Sequence, residues 1–297
     1  MSDNLFGFTD DTKITLIGAG GAGCRILDRI IASGIQGVKT VASDSDTASL
    51  SACNSPHKVQ PDGIKSCVEG SDLVLVLAGM GGSTGSGVAP SIAEAAKSSG
   101  ALVVAVVTKP FGFEQGRRLP AAEDGIAHLK EHTDAIIVVD NNALAQGITD
   151  EAKALKKSDD AVCQIVRGIT DLITASGFIN LDFEDIRYIL DSGEGKISVC
   201  TVGIGEAEGE GSAERAAVNA IHSPLMARPL GEAARFLLNV TTSADVTLTE
   251  MTGAANVISE NVSGDSDIVW GHVIDDTLGS KVRAALLAVY PESAAVK

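Results

Sequence analysis

Aromatic side chains are scarce in this chain of 297 residues: seven Phe, two Tyr and one Trp make up 3% of it. A core with so few rings must be packed largely by Ala, Val, Ile and Leu. With 32 glycines, that composition suggests an α/β protein with tight turns. Cationic residues are also in deficit, 23 Lys and Arg against 39 Asp and Glu, for a net charge of −16. Such a charge excludes a general nucleic-acid binder, and argues against direct adhesion to an anionic membrane. No apolar run reaches the roughly 18 residues of a membrane span, and the N-terminal stretch lacks a signal-peptide pattern. The five cysteines (Cys24, Cys53, Cys67, Cys163, Cys200) are odd in number and never form a CxxC pair. They fit reduced thiols in a cytoplasmic protein, with neither a disulfide framework nor a zinc site.

What the chain does have is strands that run into glycine. The length suits one or two domains. The apolar run 72–77 predicts a buried strand, and residues 88–98 have helical spacing with Pro90 near the start. Between them lies AGMGGSTGSG at 78–87, five glycines and three hydroxyl residues. Backbone N–H groups at such a junction can converge on an anion, or the turn can simply pack a helix against a sheet. A strand at 13–17 leads into Gly18, Gly20 and Gly23 in GxGxxG spacing and a helix at 24–33. The strand at 37–42 ends on Asp44 and Asp46, which suit a ribose hydroxyl, a metal-bound water or a solvated turn. A very short connection with Pro56 and Pro61 follows. Strands at 101–108 and 135–139 bring the expected count to five, the last ending on Asp140, Asn141 and Asn142.

A helical pattern then runs from 150 to 174, long enough to act as a strut between domains. Residues 177–185 carry Asp182 and Asp185, three apart, and Asp182 is also well placed to cap a helix at 186–190. Beyond them, strands at 197–204, 235–241, 267–272 and 283–289 and helices at 212–222 and 248–261 suggest a second, α+β domain. The stretch 206–211 is expected to be an exposed turn.

Five segments in order resemble the tubulin/FtsZ superfamily, and most closely its FtsZ branch. They are the glycine loop at 18–23, the stretch 78–87, TKPFGFE at 108–114 with Arg118, residues 177–185, and IVWGHVID at 268–275. The match spans about residues 12–290. The resemblance implies a Rossmann-like parallel-sheet GTPase domain at 12–149, a central helix at 150–176 and a C-terminal α+β domain at 177–290. A frayed leader (1–11) and a short tail (291–297) flank them. It also implies GTP or GDP as ligand, Mg2+ accompanying GTP, and head-to-tail self-assembly with the nucleotide between subunits. On that basis Gly20, Gly21, Gly81, Gly82, Ser83, Thr84, Gly85 and Ser86 contact phosphates, and Glu114 and Arg118 contact the ribose or are solvated charges. Asn141 joins the nucleotide site. Asp159 pairs with the guanine edge, whose N1–H and N2–H2 a carboxylate can accept, or is an exposed helix acid. Asn180, Asp182 and Asp185 act on the neighbouring subunit's nucleotide, with Asp182 capping its helix as the bland alternative.

Four features depart from the family pattern. Residues 58–64 run almost directly onward where the family has a phosphate-sensing loop with a Gly-Ala-Gly core and a long helix. Ser83 replaces a glycine, and its Cβ narrows the backbone and crowds a phosphate. Leu155 stands where a phenylalanine stacks on the base. Arg25 stands at a usual asparagine, free to meet a phosphate or to swing into solvent. The residues after 290 are too few for a linker and adaptor-docking tail, so no docking of that kind is expected. Two functional classes follow: an assembly-dependent GTPase, or a structural filament protein that hydrolyses little or nothing, and which co-assembles with a canonical FtsZ paralogue. A dinucleotide oxidoreductase rests only on the GxGxxG spacing.

Overall fold

The computed structural model describes residues 12–175, 177, 179–191, 193, 196–243, 247–262, 264 and 266–290. The expected leader and tail lie outside these. The chain begins with β1 (Ile14–Ala19), α1 (Gly20–Ala32), β2 (Val38–Ser43), α2 (Thr47–Ala52), β3 (His57–Val59) and α3 (Lys65–Val68). There follow β4 (Leu73–Gly79), α4 (Ser83–Ser98), β5 (Leu102–Lys109), α5 (Gln115–Lys130), β6 (Ala135–Asp140), α6 (Asn141–Leu144) and the 24-residue α7 (Glu151–Thr174). The second half holds α8 (Phe183–Leu190), β7 (Ser198–Glu208), α9 (Ser212–Ile221), β8 (Arg235–Thr242), α10 (Leu248–Asn261), β9 (Asp267–Ile274) and β10 (Lys281–Tyr290).

All ten strands join one sheet in the order β3-β2-β1-β4-β5-β6-β7-β10-β8-β9. The first six are parallel, β6 and β7 continue parallel over three residue pairs, and β10 runs antiparallel to β7 and β8. The near-continuous apolar runs of β4 and β5 are what a strand covered on both faces requires. Their alternate residues divide between two cores. Leu73, Leu75 and Leu77 face α1 and α7, while Val74, Val76 and Ala78 face α4 and α5. The core on the α7 side also takes in Cys200, Leu237 and Leu287, so the long helix packs on strands from both halves of the chain. Helices α9 and α10 cover a third core with Phe236, Leu238 and Leu286.

The outcome differs from the sequence expectation at several element ends. Between 43 and 72 the connection holds two short helices, α2 and α3, and a short strand, so six parallel strands, not five, precede α7. Helices α1 and α4 begin at Gly20 and Ser83, earlier than the apolar periodicity suggested. Their first turns are glycine, small and hydroxyl residues, which leave no hydrophobic signal to read. Residues 206–208 belong to β7 and are not a turn; Glu206 sits opposite Arg283 of β10 and pairs with its guanidinium at 2.7 Å.

Candidate functional site

The strand order reverses between β1 and β4, which flank the middle of the six parallel strands, with β2 and β3 on one side and β5 and β6 on the other. Ligands of open parallel sheets bind outside the strand C-termini at such a reversal. There β1 runs directly into α1 and β4 turns into α4. Ala19 and Gly82, the residues at the two N-caps, provide no side-chain cap. The first amides of each helix, at Gly20 and Gly21 and at Ser83, Thr84 and Gly85, have no partner inside the helix by position. The two ends nearly touch: a Cβ on Gly20, whose φ is +71°, would lie 3.1 Å from the Gly85 nitrogen. Two helix dipoles and their amide donors therefore converge on one spot, which suits a multiply charged anion.

Glycine is required here by contact. A Cβ on Gly85 would sit 2.2 Å from the Gly79 carbonyl oxygen, so only glycine lets α4 start hard against the end of β4. Gly81 takes a φ of +96°, and its N–H donates to Ser86 Oγ at 2.8 Å. That bond ties the turn together, and neither Gly81 nor Ser86 lines the cleft in front of it. Ser83 is exposed at the first helical position, and no residue other than glycine has a positive φ among the described residues. The expected backbone restriction at Ser83 is therefore not realised, because the left-handed turn falls on Gly81 instead.

The cleft encloses about 410 Å³. Gly20, Gly21, Gly82, Ser83, Thr84 and Gly85 form its floor. Glu114, Arg118, Asn141 and Leu155 stand around it. Glu114 and Arg118 pair one helical turn apart, and Glu114 Oε2 accepts from the Phe111 N–H at 3.2 Å, which holds the start of α5 in place. Asn141, buried at the end of β6, accepts from Ser158 Oγ of α7 at 2.6 Å. Thr108, Met80 and Phe111 also line the cleft. Sequence reasoning missed these three as site residues; the available signal was their position at or just after strand C-termini. No lining residue comes from 26–78, so the side of the cleft nearest the shortened region is open. Asp44 and Asp46 are not among the lining residues. Asp44 accepts the Asp46 N–H at 3.0 Å, and Asp46 caps α2 through the Ala48 N–H at 3.0 Å.

At the α7 end, the structure departs from the exposed-acid expectation for Asp159, and it gives Arg25 a partner that neither expectation named. Asp159 is 2% exposed, not a solvated helix acid, and it is absent from the cleft wall. Arg25 stands before it, donating Nε–H to Oδ2 at 2.8 Å and Nη2–H to Oδ1 at 3.1 Å. The guanidinium is thus held by Asp159 at the edge of the cleft that Arg25 lines. The hydrogen bond to Asp159 raises its pKa further above the ordinary arginine value.

Asn180, Asp182 and Asp185 lie apart from the cleft, and none lines it. Asp182 caps α8: its Oδ1 accepts the Asp185 N–H at 2.8 Å, and Asp185 Oδ2 accepts the Asp182 N–H at 3.1 Å. Partial burial pushes the Asp185 carboxyl above its ordinary pKa, and the bond from the Asp182 backbone works against that. The approach to this cap is seated on β9. The Ile179 carbonyl accepts from the His272 N–H at 2.9 Å, and a Cβ on Gly271 would meet Leu181 at 3.0 Å. Asn180 and Asp182 are exposed. One chain therefore presents an anion-suited cleft and, elsewhere on its surface, a rigidly capped carboxylate pair.

Known proteins share this fold. Residues 57–149 match the family model described as "Tubulin/FtsZ family, GTPase domain", and residues 198–289 match "FtsZ family, C-terminal domain". "Cell division protein FtsZ" of Haloferax mediterranei is 35% identical over 309 residues, covering 95% of this chain and 81% of the relative. "Cell division protein FtsZ 1" of Thermococcus kodakarensis is 36% identical, covering 93% and 80%. The solved structure "FtsZ dimer, empty" of M. jannaschii superposes with a TM-score of 0.88 at 31% identity, over 96% of this chain and 94% of the other. A GTPγS-bound protofilament of CetZ2 from Haloferax volcanii shares the fold alone, with a TM-score of 0.75 at 19% identity over 93% and 92%.

Proposed function

Because the chain belongs to the FtsZ family of the tubulin superfamily, we propose that it binds GTP in the cleft between α1 and α4 and stacks head to tail. The phosphoryl-transfer chemistry it needs is modest: positioning of the triphosphate, and a carboxylate that orients an attacking water. The observation that carries this reading is the meeting of two uncapped helix N-termini at the sheet's reversal point. Amides of Gly20, Gly21, Ser83, Thr84 and Gly85 cradle the phosphates, and Glu114, Arg118 and Asn141 face the ribose side. A magnesium ion arriving with GTP would neutralise part of the phosphate charge in the cleft; no group of three His, Cys, Asp or Glu suited to a metal occurs among the described residues. Asp182 and Asp185, remote from their own cleft, serve the nucleotide of the next subunit, so hydrolysis waits for assembly. As in the division FtsZ relatives, the proposed setting is the cytoplasm and the cytoskeleton; no helix among the described residues is long and apolar enough to cross a membrane.

A second reading is favoured by the open side of the cleft, where no residue from 26–78 contributes. On that reading the protein forms filaments, alone or with a canonical paralogue, without efficient hydrolysis. One experiment separates the two. The rate of phosphate release per subunit is measured against protein concentration, together with pelleting in GTP, GDP and no nucleotide. Assembly-dependent hydrolysis gives a rate that climbs with concentration, and Asp182→Asn abolishes it by about 100-fold while GTP binding persists. Equal pelleting in all three conditions with no phosphate release establishes the structural filament instead.

A further inference from the structure

We propose that Arg25 sets the base preference of the cleft: by covering Asp159 it replaces a carboxylate with N–H donors, so guanine is not selected through its N1–H and N2–H2 edge. The inference rests on the nucleotide reading above and deepens it. Both carboxylate oxygens of Asp159 are engaged by one guanidinium, at 2.8 and 3.1 Å. The Arg25 side chain is 47% exposed and the Asp159 side chain only 3%, so what the cleft meets is the cation. Arg25 lines the cleft with Leu155, and Asp159 does not.

The fork is held from both sides. One turn further along α1, Arg29 pairs with Asp160, the neighbour of Asp159 on α7, so two ion pairs bind these helices in register. On the other flank Ser158 is fixed to Asn141. For a base to reach Asp159, the guanidinium must leave a buried carboxylate. That trades a doubly charged, bidentate interaction for hydrogen bonds from a neutral donor edge, an unfavourable exchange. Leu155 at the same end contributes packing without a polar preference.

The chemistry that remains follows from the donor inventory. A guanidinium carries N–H groups beyond those used on Asp159, and no acceptor. It can meet carbonyl and ring-nitrogen acceptors of a purine but has nothing for the amine at C2. At C2 the donor edge therefore gains a partner in the XTP carbonyl, gains none from the ITP hydrogen and opposes the GTP amine, so GTP holds no advantage over ITP or XTP. A bare carboxylate would favour GTP over ITP and repel XTP.

The test is displacement of a fluorescently labelled GTP by GTP, ITP and XTP, using the whole chain and its Arg25→Gln variant. In the wild-type protein XTP and ITP should compete at least as well as GTP, whereas Arg25→Gln uncovers Asp159 and favours GTP over XTP by about tenfold or more. A wild-type preference for GTP over XTP of about tenfold overturns the inference, because the fork must then open to the base. An unchanged ranking in a folded Arg25→Gln variant overturns it as well. Should that variant fail to fold, the wild-type series decides alone. Displacement of labelled GTP by XTP and ITP at least as well as by GTP supports it, while failure to bind labelled GTP at all removes the nucleotide reading and this inference together.

Discussion

At Gly85, a single hydrogen in place of a methyl group decides whether α4 can begin where it does. A Cβ there falls 2.2 Å from the Gly79 carbonyl oxygen, which is backbone and cannot rotate away. Gly85→Ala must push α4 off the end of β4, at a cost of about 3 kcal/mol, and it separates the two helix ends that form the cleft floor. The expected result is a melting temperature lowered by several degrees and loss of GTP binding, read by thermal denaturation and by titration of labelled nucleotide. Gly87, two residues further and with nothing within 4 Å of its added Cβ, should accept alanine with neither effect. His272 makes a different residue-scale point. It is buried against Thr242 Oγ1 at 2.8 Å, and desolvation lowers its pKa below the ordinary 6.5. The unfolded chain then takes up a proton that the folded chain resists, so this contribution to stability is full above pH 6.5 and is lost as pH falls toward the depressed value. Melting temperatures measured from pH 7.5 to pH 5 should drop less steeply in His272→Gln than in the wild type.

At the scale of elements, α8 shows why the choice of substitution matters. Asp182→Ala removes the cap of an eight-residue helix, worth about 1 kcal/mol, along with the carboxylate. Asp182→Asn keeps a side-chain oxygen for the Asp185 N–H and removes only the charge, so a change in hydrolysis can be separated from a change in folding. This capping role was readable from the Asp182 to Asp185 spacing. So were the central helix, from its apolar face at Val162, Ile165, Val166, Ile169 and Leu172, and the buried strands β4 and β5. The signature stretch at 78–87 located the cleft floor because a strand, glycines and a helix follow one another in sequence. What escaped the sequence depends on contacts between distant segments. Arg25 and Asp159 are 134 residues apart, and no local pattern tells that one covers the other. The three-residue β3 has too few side chains to show alternation, and the true starts of α1 and α4 hide in glycine. The bond between Gly81 and Ser86 likewise turned two expected ligand contacts into parts of a turn.

For the whole molecule, charge and architecture pull in opposite directions. Helix ends and arginines gather positive potential in one cleft, while the chain as a whole carries −16. Subunits that stack head to tail must bring these net charges together, and the long-range part of that repulsion is screened by salt. At an ionic strength of about 0.01 M the screening length is about 30 Å, comparable to a subunit, and at about 0.15 M it shrinks to about 8 Å. Contacts made within the interface, such as a capped carboxylate entering a neighbour's cleft, are screened far less over the same range. Raising salt between these values should therefore lower the protein concentration at which filaments first pellet in GTP, and light scattering should rise sooner. Further salt should then weaken short-range pairing and reverse the trend. A critical concentration that climbs steadily from the lowest salt would mean that complementary charge across the interface outweighs the net repulsion. In that case neutralising the acidic loop through Asp182→Asn should flatten the salt dependence, which places the carboxylates of α8 at the contact by a measurement independent of hydrolysis.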